Sequence, residues 1–195
     1  MDFDEVLRKR RSTRAFLDEP ISDGELEAVL LAGSNAPVGS NLSRDVHLIV
    51  LTDKIVMESL SEANRRRMAD GAFREKVIGD IDLADGQAPL PKPFYGAPVV
   101  IIVSHRRQDF QPGIEYANVT SVVHTMHLAA TNLGLGSVYV WGILEAMRVR
   151  PELDRTAALG LPEGFEPLMG LALGRPRLPL KDRPPKVGKL TVNRV

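Results

Sequence analysis

The sequence predicts an α+β fold for residues 1–195, in which a mixed central sheet is covered by helices to give a three-layer sandwich. Three observations support this prediction. Helical patterns come first along the chain, and strand patterns separated by helical segments follow them. Residues 99–103 are all β-branched, which is typical of a central strand covered on both faces. Residues 116–133 carry apolar side chains around much of a predicted helix, which indicates that this helix is buried.

The first elements are predicted from apolar spacing and from helix-end signals. Residues 2–10 repeat apolar side chains at helical intervals and predict a first helix. Ser22 is followed three positions later by Glu25, the pattern of a capping box, so a second helix begins there and Gly33 can end it. Residues 47–52 are apolar and partly β-branched, and they predict a strand.

The rest of the chain is predicted to complete the sheet and to cover it. Residues 69–95 have weak periodicity and three prolines, which predicts a loop-rich excursion that serves as a lid. Gly134 can end the buried helix, and residues 137–141 and 168–173 predict two further strands. Residues 175–195 contain four prolines and predict an extended arm.

Composition argues against several classes of protein. Lys plus Arg total 25 and Asp plus Glu total 25, so there is no basic excess of the kind that nucleic acids or membrane surfaces attract. The absence of cysteine excludes disulfides, thiolate metal sites and a cysteine nucleophile. The strongly apolar run at residues 99–103 is far shorter than the roughly 20 residues that span a bilayer. We expect a cytoplasmic protein with neither a nucleic-acid nor a membrane partner.

Five consecutive side chains at the end of the first helix suit an anion. Residues 10–14 read Arg-Arg-Ser-Thr-Arg, which brings three guanidinium groups and two hydroxyls together. Arginine binds phosphate through two parallel hydrogen bonds, and serine adds a short one. A solvated charge run is the alternative interpretation of the same five residues.

Two further segments have the composition of shaped turns. Residues 35–41 contain Asn, Pro and Gly and present backbone and amide groups, although an ordinary loop has the same composition. Gly134 and Gly136 permit a tight helix-to-strand turn, and Gly142 lets a flat ligand approach the backbone after the strand. A dinucleotide fingerprint requires a strand before its glycines and a helix after them, so this reversed order excludes a Rossmann site.

The arm at residues 175–195 carries seven basic residues and one acid, Asp182. It is therefore able to reach a phosphate or to wrap a partner subunit, and a loosely ordered tail is the alternative.

His124 and His127 stand three positions apart on the buried helix. We interpret them as a packed or helix-surface pair rather than as metal ligands, since no carboxylate accompanies them on that face.

Taken in order, these segments resemble the nitroreductase family of FMN enzymes. Residues 10–16 are similar to that family's Arg-Arg-Ser-x-Arg-x-Phe signature. Residues 36–41 stand where the family has an Ala-Pro-Ser-x-x-Asn loop. Residues 94–98, 133–137 and 161–167 also resemble family segments. The resemblance extends from residue 2 to about residue 183 and implies a nitroreductase-like sandwich.

The resemblance implies a binding site for FMN. Arg10 and Ser12 would hold its phosphate with help from Lys181 and Arg183, while Arg175 and Arg177 are alternatives in the arm. Arg14 would face the pyrimidine edge of the flavin, where a cation favours the negatively charged reduced ring. The full set of implied cofactor-binding residues is Arg10, Arg11, Ser12, Arg14, Asn35, Pro37, Val38, Gly39, Asn41, Tyr139, Val140, Trp141, Gly142, Lys181 and Arg183.

The resemblance also implies a homodimer in which residues 35–41 reach the flavin of the other subunit, while backbone of residues 139–142 passes the ring edge near N5. After Asn41 the family commonly has Gln-Pro-Trp, whereas residues 43–45 here read Ser-Arg-Asp.

The implied activity is ping-pong hydride transfer, in which NAD(P)H reduces FMN and a small nitroaromatic, quinone or related acceptor is then reduced. A flavin-binding carrier or sensor without turnover is the alternative, and a cofactor-free interaction module with a basic arm is a third reading.

Overall fold

The computed structural model describes residues 1–68, 93–141, 144, 155–184, 188 and 190–194, and four α-helices and four strands are the main elements there. The helices are α1 (Phe3–Lys9), α2 (Asp23–Ser34), α3 (Lys54–Met68) and α4 (Ile114–Asn132). The strands are β1 (Val46–Leu51), β2 (Val99–Arg106), β3 (Gly136–Val140) and β4 (Phe165–Gly174). Every helix and strand predicted within these ranges is present, with ends that differ by a few residues.

The strands form one sheet in the order β1-β2-β4-β3. All three neighbouring pairs are antiparallel, and Ile101 at the centre of β2 lies between Val50 and Leu171. A single parallel bridge joins Ser12 to Ser137 at the edge of β3. The predicted α+β fold is confirmed, and in the described residues the parallel component of the sheet is confined to this bridge.

Successive side chains of β2 point to opposite faces of the sheet and so contribute to two separate apolar cores. One face of the strand presents Val99, Ile101 and Val103 to a core that includes residues of α2 and α4. The other face presents Val100 and Ile102 to a second core that includes Leu60 of α3. All five β2 side chains are buried, so covering both faces removes a continuous apolar strand from water. The predicted three-layer sandwich is therefore present.

The predicted capping box begins α2 as expected. The Ser22 hydroxyl accepts the Glu25 N–H, and the Glu25 carboxylate accepts the Ser22 N–H. Gly33, predicted to end the helix, instead lies inside it and marks a close contact with α4. A Cβ at Gly33 would lie 2.8 Å from Cγ of Met126, so the two helices pack too closely for a side chain here.

Two predicted segments are described only in part. Residues 69–92 of the predicted lid lie outside the described residues, and its end forms a short 3-10 turn over Pro93–Gly96. The arm has no helix or strand over residues 175–184, apart from one bridge between Pro176 and Phe16. In the described part of the chain, no helix is long and apolar enough to cross a membrane.

Candidate active site

The segment that follows α1 is held against the edge of β3. Thr13 donates its N–H to the Ser137 carbonyl at 2.9 Å, and Ser12 forms the bridge to the same strand residue. A Cβ at Gly136 would lie 2.7 Å from the Thr13 methyl group, so glycine is required where the segment crosses the strand. The two motifs that the sequence singled out, residues 10–14 and the glycine turn, therefore meet in space.

A buried histidine holds the first arginine of this segment. Nη1 of Arg10 lies 3.0 Å from Nε2 of His127, and Nδ1 of His127 contacts the Ser137 hydroxyl. Burial, followed by the charges of Arg10 and His124, lowers the pKa of His127 to about 4. The imidazole is therefore neutral near pH 7. Because arginine only donates, Nε2 accepts and the proton lies on Nδ1, which donates to Ser137.

Tyr139 extends this cluster along β3. Its ring centroid lies 5.4 Å from that of His127, and its hydroxyl lies 3.0 Å from Nδ1 of His124. Burial raises the pKa of Tyr139, so the phenol stays protonated. The two histidines thus contact different partners, with His127 buried and His124 exposed on the helix surface. In the described ranges no group of three His, Asp or Glu side chains is placed to hold a metal ion.

Arg11 lies close to Arg183 of the arm. Asp182 accepts from Nε of Arg8 at 3.1 Å and holds the arm beside α1. Burial and the nearby positive charge of Arg183 both lower the pKa of Arg11, and Nη2 of Arg11 is buried without a hydrogen-bond partner. Two cations and an unsatisfied donor therefore lie together, and a bound anion would offset their repulsion and accept from the free N–H.

Arg175, the alternative arm ligand, is engaged elsewhere. Its guanidinium donates two hydrogen bonds to the Glu25 carboxylate at 2.7 and 2.8 Å. Arg177 is exposed, and its backbone N–H donates to the Ala15 carbonyl. Lys181 is also exposed. Arg183, by contrast, lies close enough for its charge to act on Arg11.

Arg14 is exposed and lies on the side of the second core. Its Cζ lies 5.9 Å from the ring centroid of Tyr95. Phe94 and Tyr95 both have positive φ, at 53° and 56°, in the turn that leads into β2. This backbone conformation costs energy for residues other than glycine, and burial of the Phe94 side chain in the second core helps to offset that cost.

The loop at residues 35–41 packs at the other end of α4. Gly39 donates its N–H to Oδ1 of the buried Asn118 at 2.8 Å, and Nδ2 of Asn118 lies 3.1 Å from Nε2 of His105. Asn118 and His127 are about 13 Å apart along the helix axis, given the rise of 1.5 Å per residue. Within one subunit the structure therefore does not bring this loop to residues 10–14.

The remaining loop residues have varied surroundings. Asn35 caps α2, donating from Nδ2 to the Leu31 carbonyl at 2.8 Å. Val38 packs on the first core, whereas Pro37 and Asn41 are exposed. Asn41 has a φ of 55°, a conformation that asparagine tolerates better than most residues.

The end of β3 carries one exposed aromatic side chain. Val140 is buried in the second core, while Trp141 is 44% exposed and its rings lie 5.8 Å from Tyr116 at an angle of 36°. Gly142, the last implied contact, lies outside the described residues. A cavity of about 430 Å³ adjoins Tyr116 at the start of α4. Its lining includes His105, Gln108, Glu115, Tyr116, Glu166 and Leu168.

His127 and the Ser137 hydroxyl were not among the residues predicted for the site. The sequence signal for His127 is a titratable side chain among the apolar residues of a buried helix face, and packing alone explains that signal equally well. Its contact with Arg10 spans 117 positions of sequence, so no local pattern could reveal it.

Comparison with known proteins gives a consistent result. A model described as the nitroreductase family matches residues 7–175. An oxygen-insensitive NADPH nitroreductase of Salmonella typhimurium is 29% identical over 191 residues, covering 90% of this chain and 69% of that protein. The crystal structure of a nitroreductase with bound FMN from Bacteroides fragilis is 27% identical, covers 97% of both chains and has a TM-score of 0.75. A nitroreductase with bound FMN from Desulfitobacterium hafniense shares the fold at 24% identity, with a TM-score of 0.76 and coverage of 97% and 96%.

Proposed function

This chain belongs to the nitroreductase family, and from that premise we propose that it is an FMN-dependent oxidoreductase that uses NAD(P)H to reduce small nitroaromatic, quinone or related acceptors. When bound, FMN supplies the redox chemistry, accepting a hydride from NAD(P)H and then reducing the acceptor in a ping-pong cycle. The protein's part is to bind the cofactor, set the electrostatics around it and admit the two substrates in turn.

The observation that carries the proposal is the unsatisfied cationic cluster formed by Arg11 and Arg183 beside Arg10. The buried Nη2 of Arg11 has no acceptor, and burial together with the charge of Arg183 lowers the Arg11 pKa. A phosphate group would accept that free N–H and neutralise like charges that otherwise repel each other. Ser12 is exposed beside them and can add a hydroxyl donor. The residues present therefore fit the phosphate of FMN.

Arg14 is proposed to tune the flavin rather than to anchor it. Its exposed guanidinium lies over Tyr95, with Cζ 5.9 Å from the ring centroid. A cation beside the flavin stabilises the negative charge that reduction creates on the ring.

We propose further that the active unit is a homodimer. Large apolar side chains lie exposed on α1 and α2, including Phe3 at 65% and Leu31 at 64%, and an interface that covered them would remove apolar surface from water. The distance between the loop at residues 35–41 and Arg10 within one subunit also favours the idea that the loop serves a partner's site. In a twofold dimer each such contact occurs twice.

The direct test is to purify the protein, add FMN, remove free flavin and record the visible spectrum, and then to measure NADH and NADPH oxidation with a nitroaromatic and a quinone. We expect about one FMN per chain and turnover that depends on both substrates. Protein that stays colourless would refute the proposal. Bound FMN without turnover would support the carrier or sensor alternative.

A further inference from the structure

Two buried polar groups form a chain that ends on the partly buried Arg10. Ser137 and His127 are 1% and 2% exposed, and they belong to β3 and α4 respectively. The Ser137 hydroxyl accepts from Nδ1 of His127, whose Nε2 accepts from Nη1 of Arg10 at 3.0 Å. The arginine, which only donates, thereby fixes the imidazole tautomer, and the imidazole, bound to the serine, orients the guanidinium.

We propose that His127 is a positioning residue for cofactor binding, whose neutral imidazole holds the Arg10 guanidinium toward the phosphate of FMN. This inference rests on the proposed function. Arginine loses considerable rotamer freedom when it is immobilised, and a partner that orders it in advance reduces that cost of binding. One hydrogen bond to His127 leaves four of the five guanidinium N–H groups available to phosphate.

The charge of the side chain that contacts Arg10 matters as much as the position of that side chain. A carboxylate at the place of His127 would neutralise Arg10 and compete with phosphate for the same donors. An uncharged acceptor orients the guanidinium and leaves its positive charge intact. The groups that face His127 are Arg10 from the end of α1, His124 from its own helix and Tyr139 from β3. Two of these favour an uncharged imidazole, since Arg10 and His124 both lower its pKa.

The experiment compares His127→Gln, His127→Asn and His127→Leu in the full-length protein. Glutamine places an amide oxygen near the position of Nε2 and can accept from Arg10. Asparagine reaches only the position of Nδ1 near Ser137, and leucine removes both contacts while retaining apolar volume. Release of FMN and of riboflavin, which lacks the phosphate, is followed on dilution of the loaded proteins by the recovery of free flavin fluorescence.

We expect the leucine and asparagine variants to bind FMN about tenfold more weakly than the unaltered protein, the effect of losing about 1.4 kcal/mol. The glutamine variant should restore most of the affinity. Riboflavin affinity should change less than twofold in all three. Ser137→Ala should weaken FMN binding by a smaller factor, and Ser104→Ala, a buried serine of β2 that donates to the His47 carbonyl, is the matched control with no effect.

Each remaining outcome has a distinct meaning. FMN affinity that is unchanged in the leucine and asparagine variants overturns the positioning role, as does an equal loss of FMN and riboflavin, which indicates a general packing defect. Equal affinity of the unaltered protein for the two flavins also overturns it, while leaving flavin binding intact. Failure of the unaltered protein to bind either flavin refutes the proposed function itself.

Discussion

Glu25 at the start of α2 accepts two hydrogen bonds from Arg175, at 2.7 and 2.8 Å, across 150 positions of sequence. The same carboxylate accepts the Ser22 N–H at 2.8 Å and so completes the capping box. Arg175 directly follows the last residue of β4. The Glu25 carboxylate therefore caps α2 and also fixes the point where the chain leaves β4 for the arm.

Loss of this anion should destabilise the fold in a pH-dependent manner. The Ser22 backbone N–H, and then Arg175, lower the pKa of Glu25 to about 2 from 4.5. A lowered folded-state pKa adds stability above pH 4.5 that is lost as pH falls from 4.5 toward 2. Glu25→Gln should lower the free energy of unfolding at pH 7 by about 1–2 kcal/mol, a modest figure because both side chains are partly exposed. The free energy of unfolding of this variant should also depend less on pH between 4.5 and 2.

Urea unfolding at a series of pH values measures both effects. Glu27→Gln is the matched control, since Glu27 is an exposed carboxylate on the same helix. A Glu25→Gln protein with the stability and acid profile of the control would contradict this account of the pair.

Arg183 should contribute to cofactor affinity through the phosphate alone. A charge-assisted hydrogen bond of about 1.5–3 kcal/mol corresponds to roughly ten- to a hundredfold in affinity. Arg183→Ala should therefore weaken FMN binding by about that factor and leave riboflavin binding unchanged in fluorescence titrations. Arg177→Ala removes the same charge from an exposed position of the arm and serves as the control. Equal losses in the two variants would show that only net charge matters.

Arg14 and Arg10 should affect different properties of the bound flavin. Arg14→Ala removes the exposed cation and should make the flavin harder to reduce, lowering its potential by about 30 mV for each 1.4 kcal/mol lost. Arg10→Ala should chiefly weaken FMN affinity. Potentials are measured by reductive titration against a reference dye, with Arg177→Ala as the control for charge. Equal shifts of affinity and potential in both variants would refute this division of roles.

Local patterns predicted the elements of this fold well and the contacts between distant elements poorly. The β-branched run at residues 99–103 identified the central strand because burial on both faces leaves a signature within five residues. Gly33 was misread, because the same residue type serves both helix ends and close helix packing. The contacts of Arg10 with His127 and of Arg8 with Asp182 span 117 and 174 positions. They depend on topology, which spacing along the chain does not encode.

Buried His127 should make the folded state sensitive to mild acid. Its pKa is about 4 in the folded protein and 6.5 in an unfolded chain. As pH falls from 6.5 toward 4 the unfolded state takes up a proton that the folded state does not, so the free energy of unfolding decreases through this window. The decrease amounts to about 3 kcal/mol at most. His127→Gln has no such proton, so its stability should fall less than that of the unaltered protein, and parallel curves would contradict the buried neutral imidazole.

The arm should stabilise a dimer through its end rather than through its beginning. Asp182 is bound to Arg8 of its own chain, which holds the arm on its own subunit as far as that ion pair. Leu190 and Val192 lie beyond it and are 80% and 75% exposed, so this end of the arm carries apolar surface that a partner subunit could cover. Extended chain advances about 3.1 Å per residue, which gives this end the reach to contact a neighbour.

Light scattering should therefore give about twice the chain mass of 21.4 kDa for the full-length protein. Removal of the residues after Arg183 should raise the dimer dissociation constant, while the Arg8–Asp182 pair and the Arg183 charge stay in place. Leu190→Ser with Val192→Ser tests the apolar contacts without shortening the chain, and Leu178→Ser, an exposed apolar residue before the ion pair, is the control. Because FMN stabilises whichever state binds it, added FMN should tighten the dimer if each site uses both chains. A fully active, flavin-loaded monomer would exclude the shared site and leave the arm without this role.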